Sequence, residues 1–121
     1  MLSFITEQFN VNLVEGVFRQ RLLICIIKEE LEKRGIFVVR KGDDLMIDNK
    51  KLSVSIATKS QTSILIHTGL NIDSTGAPVC ASGLTSELGI VDIREFAKTI
   101  MKRYSDELDD IVLASTKVRG V

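Results

Sequence analysis

A chain of 121 residues is sized for one domain, 1–121, and folding at this length buries roughly two-thirds of the unfolded surface, enough for a core without metal or disulfide support. Hydrophobic residues make up 45% and charged residues 26%, with one proline and no tryptophan, which excludes a long disordered linker. Lysine plus arginine and aspartate plus glutamate balance at 16 each, so the net cationic charge that non-specific nucleic-acid binding uses is missing and no nucleic-acid partner is expected.

The first predicted element, residues 2–9 (LSFITEQF), is rich in β-branched and aromatic side chains and reads as a strand. Residues 13–34 read as a helix buried along its middle. Glu29 with Lys33 and Glu30 with Arg34 stand at the favourable i,i+4 spacing, and Gly35 suits a left-handed residue just past the end. Its apolar run, 22–27, is far short of the ~20 residues that cross a bilayer. The amino terminus has neither a basic n-region nor a small-residue cleavage site, so no signal peptide and a cytoplasmic location are expected.

An antiparallel series follows: a strand at 36–40, a turn at Lys41-Gly42-Asp43-Asp44, and a short strand at 45–47. Asp48-Asn49 is a two-residue hairpin signal, because both residues tolerate positive φ. Residues 51–58 alternate, Leu52, Val54 and Ile56 on one side and Lys51, Ser53 and Ser55 on the other. Residues 63–70 form another strand and 71–83 a loop. The final helix starts at Asp92, which can cap it, and carries a single apolar stripe from Ile93 through Phe96, Ile100 and Tyr104 to Val112, expected to pack on a sheet face. The fold class is α+β: a mainly antiparallel sheet packed against a long buried helix and a C-terminal helix.

Few residues stand out for chemistry. Cys25, in the apolar helix, reads as a buried free thiol, and Cys80 lies in the loop; with no CxxC spacing and one histidine, His67, no transition-metal site is expected. Lys51 reads either as an anion-binding cation or as an exposed lysine at a hairpin exit. Asp43 and Asp44 read either as Mg²⁺ ligands or as turn builders. Ser53 and Ser55, on the same face as Lys51, suit either phosphate oxygens or a covering helix.

The run from Arg40 to Ile72, RKGDDLMIDNKKLSVSIATKSQTSILIHTGLNI, carries three ordered motifs: Lys41…Asp44, Lys51-Leu52-Ser53 and Gly69-Leu70-Asn71-Ile72. They resemble the catalytic domain of the biotin/lipoate-protein ligases. Gly42-Asp43-Asp44, residues 51–58 and 66–71 are especially similar to an uncharacterised, mainly archaeal group of that superfamily. The resemblance implies the fold shared with class II aminoacyl-tRNA synthetases, and enzymes that activate a carboxylic acid with ATP and Mg²⁺ to an acyl-adenylate before passing the acyl group to a lysine. It implies Lys51 at the carboxylate/phosphate junction in a catalytic role. Asp44 and Asn71, with Ser53 and Gly69, would line the nucleotide side.

Three departures qualify what carries over. No Arg/Gly-rich acyl-adenylate loop precedes the long helix, as if the N-terminal part of the ligase domain were missing. Val54 stands where the ligases have a glycine that lets the acyl ligand touch backbone, and Asp43 replaces the asparagine of their Asn-Asp pair. Two functions stay open. One is a nucleotide- or acyl-adenylate-binding protein of ligase descent, catalytic or not. The other is a non-catalytic module that forms a homo-oligomer or joins a separate partner chain through an uncovered sheet edge.

Overall fold

The computed structural model describes residues 1–75 and 81–117; Cys80 lies outside them. Strand β1 (Leu2–Phe9) is followed by helix α1 (Leu13–Lys33). Then come β2 (Val39–Lys41), β3 (Asp44–Ile47), β4 (Lys50–Lys51), β5 (Ser53–Lys59) and β6 (Ser63–Leu70), and finally helix α2 (Ile93–Ser115). The strands pair antiparallel in two three-stranded sheets, β1-β6-β5 and β2-β3-β4. This is the expected α+β architecture. No helix among the described residues is long and apolar enough to cross a membrane.

α1 begins where Asn12 Oδ1 accepts the Glu15 amide at 2.8 Å, satisfying one free N–H of the first turn. It ends at Gly35, whose φ of +78° is the left-handed conformation its sequence position suggests. Leu23, Ile24, Ile26, Ile27 and Leu31 bury its middle. At Gly16 the helix comes so close to β6 that an added Cβ would lie 2.5 Å from Ile64 Cγ2. The expected i,i+4 ion pairs form differently. Lys33 meets Glu30 at 3.0 Å, and the Arg34 guanidinium sits 5.2 Å from the Phe96 ring centroid.

Three expectations need correcting. The strand placed at 36–40 starts only at Val39, because the Ile36 amide is still bonded to the Leu31 carbonyl of the helix end. The single strand at 51–58 is two, broken at Leu52. The Leu52 amide donates to Leu45 in one sheet, and the Leu52 carbonyl accepts from the Asn71 amide beside the other. Finally, α2 packs chiefly on α1 rather than on a sheet face. Phe96, Ile100 and Tyr104 are its buried residues, and the Tyr104 hydroxyl donates to the Arg19 carbonyl at 3.1 Å. Burial pushes the Tyr104 phenol up to about 12, only partly offset by the nearby Arg19 charge.

The β1-β6-β5 sheet buries one face under the helices and leaves the other open. Phe4, Ile64, Ile66, Thr68 and Leu70 point in, while Ile5 (76% exposed), Val54 (44%), Ile56 (57%) and Leu65 (38%) point out. β5 is therefore reversed relative to a hydrophobic-in reading. Ser53 faces the interior and Ser55 is half-buried, while Val54 and Ile56 face outward.

Candidate ligand site

The site begins with two tight turns. Between β2 and β3 the chain reverses at Gly42 (φ +64°), whose carbonyl accepts from Arg40 Nη1 at 2.7 Å. Between β3 and β4, Asp48 (φ +49°) and Asn49 (φ +66°) both sit left-handed, the conformation a two-residue type I′ hairpin requires. That turn fixes the register Met46↔Lys51, so Lys51 and Asp44 project from the same side of the hairpin while Leu45 and Ile47 go into the core. Lys51 Nζ lies 3.6 Å from Asp44 Oδ2, with the two side chains 49% and 31% exposed.

Asn71, immediately after β6, reaches the same place. Its side-chain amide donates to the Lys51 carbonyl at 3.2 Å, which also accepts the Ser82 amide at 2.8 Å. Lys51 and Ala81 form an isolated parallel bridge. The backbone of Lys51 is thus held by donors from two segments remote in sequence, while its ammonium remains accessible. Asn71→Ala is expected to cost about 1 kcal/mol by releasing this clamp, read as a lowered urea midpoint with an unchanged slope.

The other predicted residues fall elsewhere. Ser53 does not share the face of Lys51: the break at Leu52 interrupts the alternation, so Ser53 is 1% exposed and its Oγ accepts the Leu45 amide at 2.9 Å. Its hydroxyl ties the two sheets together. Gly69 belongs to the open face, in one row with Ser3 and Val54, and the Met1 side chain lies directly on it. His67, in the next row between Ile5 and Ile56, meets Ser3 Oγ at 3.0 Å.

Asp43 turns away from Asp44, and its Oδ2 accepts from Gln20 Nε2 at 3.3 Å. Gln20 also donates to Ser55 Oγ at 2.9 Å, and Ser55 exchanges a 2.7 Å hydrogen bond with Thr68. This buried polar chain under α1 answers for Asp43 and Ser55 as structural groups. Among the described residues no group of three or more His, Cys, Asp or Glu side chains is placed to hold a metal ion. Cys25 is a free thiol, half-buried rather than buried.

Sequence reasoning missed Gln20, whose signal was an amide at a helix position otherwise given to core residues. It also missed the open apolar face, since strict alternation does not say which side is inside.

The model of a family described as a domain of unknown function (DUF366) matches residues 1–119. "Uncharacterized protein MJ0805" of Methanocaldococcus jannaschii is 43% identical over 112 residues, covering 91% of this chain and 50% of that protein. The chain thus spans about half the length of the curated relative it matches. Among solved structures, a protein of unknown function from Pyrococcus horikoshi superposes with a TM-score of 0.87 at 38% identity, covering 98% of this chain and 64% of that one. Biotin protein ligase from Aquifex aeolicus superposes with a TM-score of 0.68 at 22% identity, covering 89% and 52%, and has also been solved in complex with biotin and ATP. At that identity the likeness to the ligase is one of fold.

Proposed function

Because the chain belongs to the DUF366 family and has a biotin protein ligase-like fold, we propose that it binds a nucleotide or acyl-adenylate at the junction of β4, β5 and the segment after β6. The observation that carries this reading is the exposed Lys51 ammonium, with its backbone clamped by Asn71 and Ser82 and its charge 3.6 Å from Asp44. A cation fixed in this way meets an anionic carboxylate/phosphate junction without reorganising, which is how preorganised charge stabilises an acyl-phosphate centre.

Asp44 orients Lys51 in the free protein. With its carboxylate half-exposed it also fits the one or two carboxylates that Mg²⁺ takes beside phosphate oxygens and water. ATP and Mg²⁺ come to this chain only through its likeness to the ligases, one of which is solved with biotin and ATP. Gly69 would let a ligand approach the sheet once the flexible Met1 side chain swings aside. Val54 stands outward in the same row, so an acyl group would lie against an isopropyl side chain rather than bare backbone. That arrangement disfavours a bulky bicyclic acid pressed onto the strand. The free thiol of Cys25 fits a reducing cytoplasm.

The test is thermal unfolding with ATP–Mg²⁺ and with a non-hydrolysable acyl-adenylate analogue. A ligand at a hundredfold excess over Kd stabilises by about 2.7 kcal/mol, a rise in Tm on the order of 10 °C for a domain of this size. Lys51→Ala should keep the unliganded Tm and lose the rise. Absence of a rise with either ligand refutes the reading.

A second reading, a non-catalytic assembly module, is favoured by a different observation. Ile5, Val54, Ile56 and Leu65 stand together on an open sheet face whose outer strands are β1 and β5. Exposed apolar surface of this kind marks contact with another chain, either a second copy or a separate partner.

A further inference from the structure

We infer that two copies of this chain pair through their helices, the last turns of α2 of each lying in a hollow beside α1 of the other. The inference rests on the assembly reading but moves the contact from the sheet to the opposite side of the molecule.

Past Tyr104, α2 leaves the core, with Leu108 the last side chain packed against it. Every residue from 105 to 117 is exposed except the half-buried Leu108, yet this stretch carries Leu108, Ile111 and Val112 on one side. On α1, Phe18 is 72% exposed and stands as a ridge between two hollows. One, of about 300 Å³, lies between Phe18 and Leu22 and its own α2 at Ile111 and Val112. The other, of about 460 Å³, lies on the other flank of Phe18 and is lined by Leu13, Val14, Val17, Phe18 and Arg21, all of α1, with no second helix among the described residues lining it.

Charge identifies the occupant. Although the chain is balanced overall, α2 concentrates Asp106, Glu107, Asp109 and Asp110 in its projecting half, and only Asp106 makes an ion pair among the described residues. Arg21, on the rim of that hollow, makes none among the described residues. Its guanidinium lies at the β2–β3 turn near Gly42, where Arg40 and Lys41 precede the glycine and Asp43 and Asp44 follow it, so the excess positive charge at the rim is that of Arg21 itself. An apolar helix edged with acid is what an apolar hollow with an arginine on its rim fits, and the chain that carries the hollow also carries such a helix. The Phe18 ridge keeps them apart within one molecule. Across a two-fold axis they meet twice, which makes the contact isologous and closed at two copies.

Sedimentation velocity of the full chain tests this. The wild type is expected at twice its 13.4 kDa mass at high micromolar concentration. Phe18→Glu, at an exposed position, should give a monomer with unchanged circular dichroism. Arg21→Glu alone should sediment as a monomer, and so should the variant combining Glu107→Lys with Asp109→Lys. Mixing these two variants should restore a dimer, because each then meets native or reversed charge of the right sign at both contacts. A dimer that survives Phe18→Glu, or a mixture that stays monomeric, overturns the inference. Dissociation by Ile56→Glu but not by Phe18→Glu places assembly on the sheet face, keeping the second reading and ending this one. A wild-type monomer at high micromolar concentration ends both.

Discussion

Phe96→Ala is expected to lower stability by about 3–5 kcal/mol, the range for emptying the site of a fully buried aromatic side chain. Phe96 is 0% exposed and is one of only three buried residues in the 23-residue helix α2, alongside Ile100 and Tyr104. Its ring also carries the Arg34 guanidinium 5.2 Å from its centroid, so truncation removes a cation–π contact at the end of α1 as well. Small domains are stable by only about 5–15 kcal/mol in total, so this single change uses up a large share. The measurement is a urea titration, with Met101→Ala as the control: Met101 lies on the same helix at 60% exposure and should move the midpoint little.

Arg103→Met should cost about 1–3 kcal/mol near neutral pH, because the Glu30 carboxylate loses a charged hydrogen bond and keeps only Lys33 beside it, and that cost should shrink in acid. Arg103 Nη1 bonds Glu30 at 3.0 Å from the opposite helix, and the Glu30 side chain is 9% exposed. Burial, the largest influence, opposes ionisation of Glu30, but the hydrogen bonds and charges of Lys33 and Arg103 outweigh it and hold the carboxyl below its ordinary value of 4.5. A carboxyl depressed by folding stabilises above its unfolded value, and that contribution is lost as pH falls through the folded value. The difference between wild type and variant should therefore be full at neutral pH and close as pH falls past the ordinary carboxyl value of 4.5 and through the lower folded one. The companion pair from Arg103 to the exposed Glu29 adds little. A gap that stays constant down to strongly acidic pH would show that Arg103 acts through packing alone.

Much of this molecule is legible in the sequence where local chemistry decides the backbone. Gly35 and Asp48-Asn49 adopt the left-handed conformations their positions suggest, and Asp92 caps α2 through the Glu95 amide. Once the Asp48-Asn49 turn is granted, the register that sets Lys51 beside Asp44 follows from it. What could not be read depends on partners distant along the chain. The phase slip at Leu52, which turns Ser53 inward, is set by bonds to Leu45 and Asn71. β5 alternates perfectly well with either side inward, and the Gln20–Ser55–Thr68 hydrogen bonds under α1 favour the serines together with the Leu45 bond to Ser53. The apolar stripe of α2 is continuous in the sequence, but the core it meets ends at Tyr104.

The pairing of β1 with β6 has a consequence for how the polypeptide folds. Leu2 sits opposite Leu70 and Phe9 opposite Ser63, so β1 cannot pair until β6, about sixty residues further along, has been made. Local pieces, the α1 turns and the β3–β4 hairpin, can form early, whereas closing so long a loop is entropically slow and delays the collapse of the larger sheet. Until then LSFITEQF remains an unpaired ribbon with half its side chains apolar. Ile5 stays outward-facing even after closure, so β1 is a segment that needs shielding from other chains until β6 reaches it.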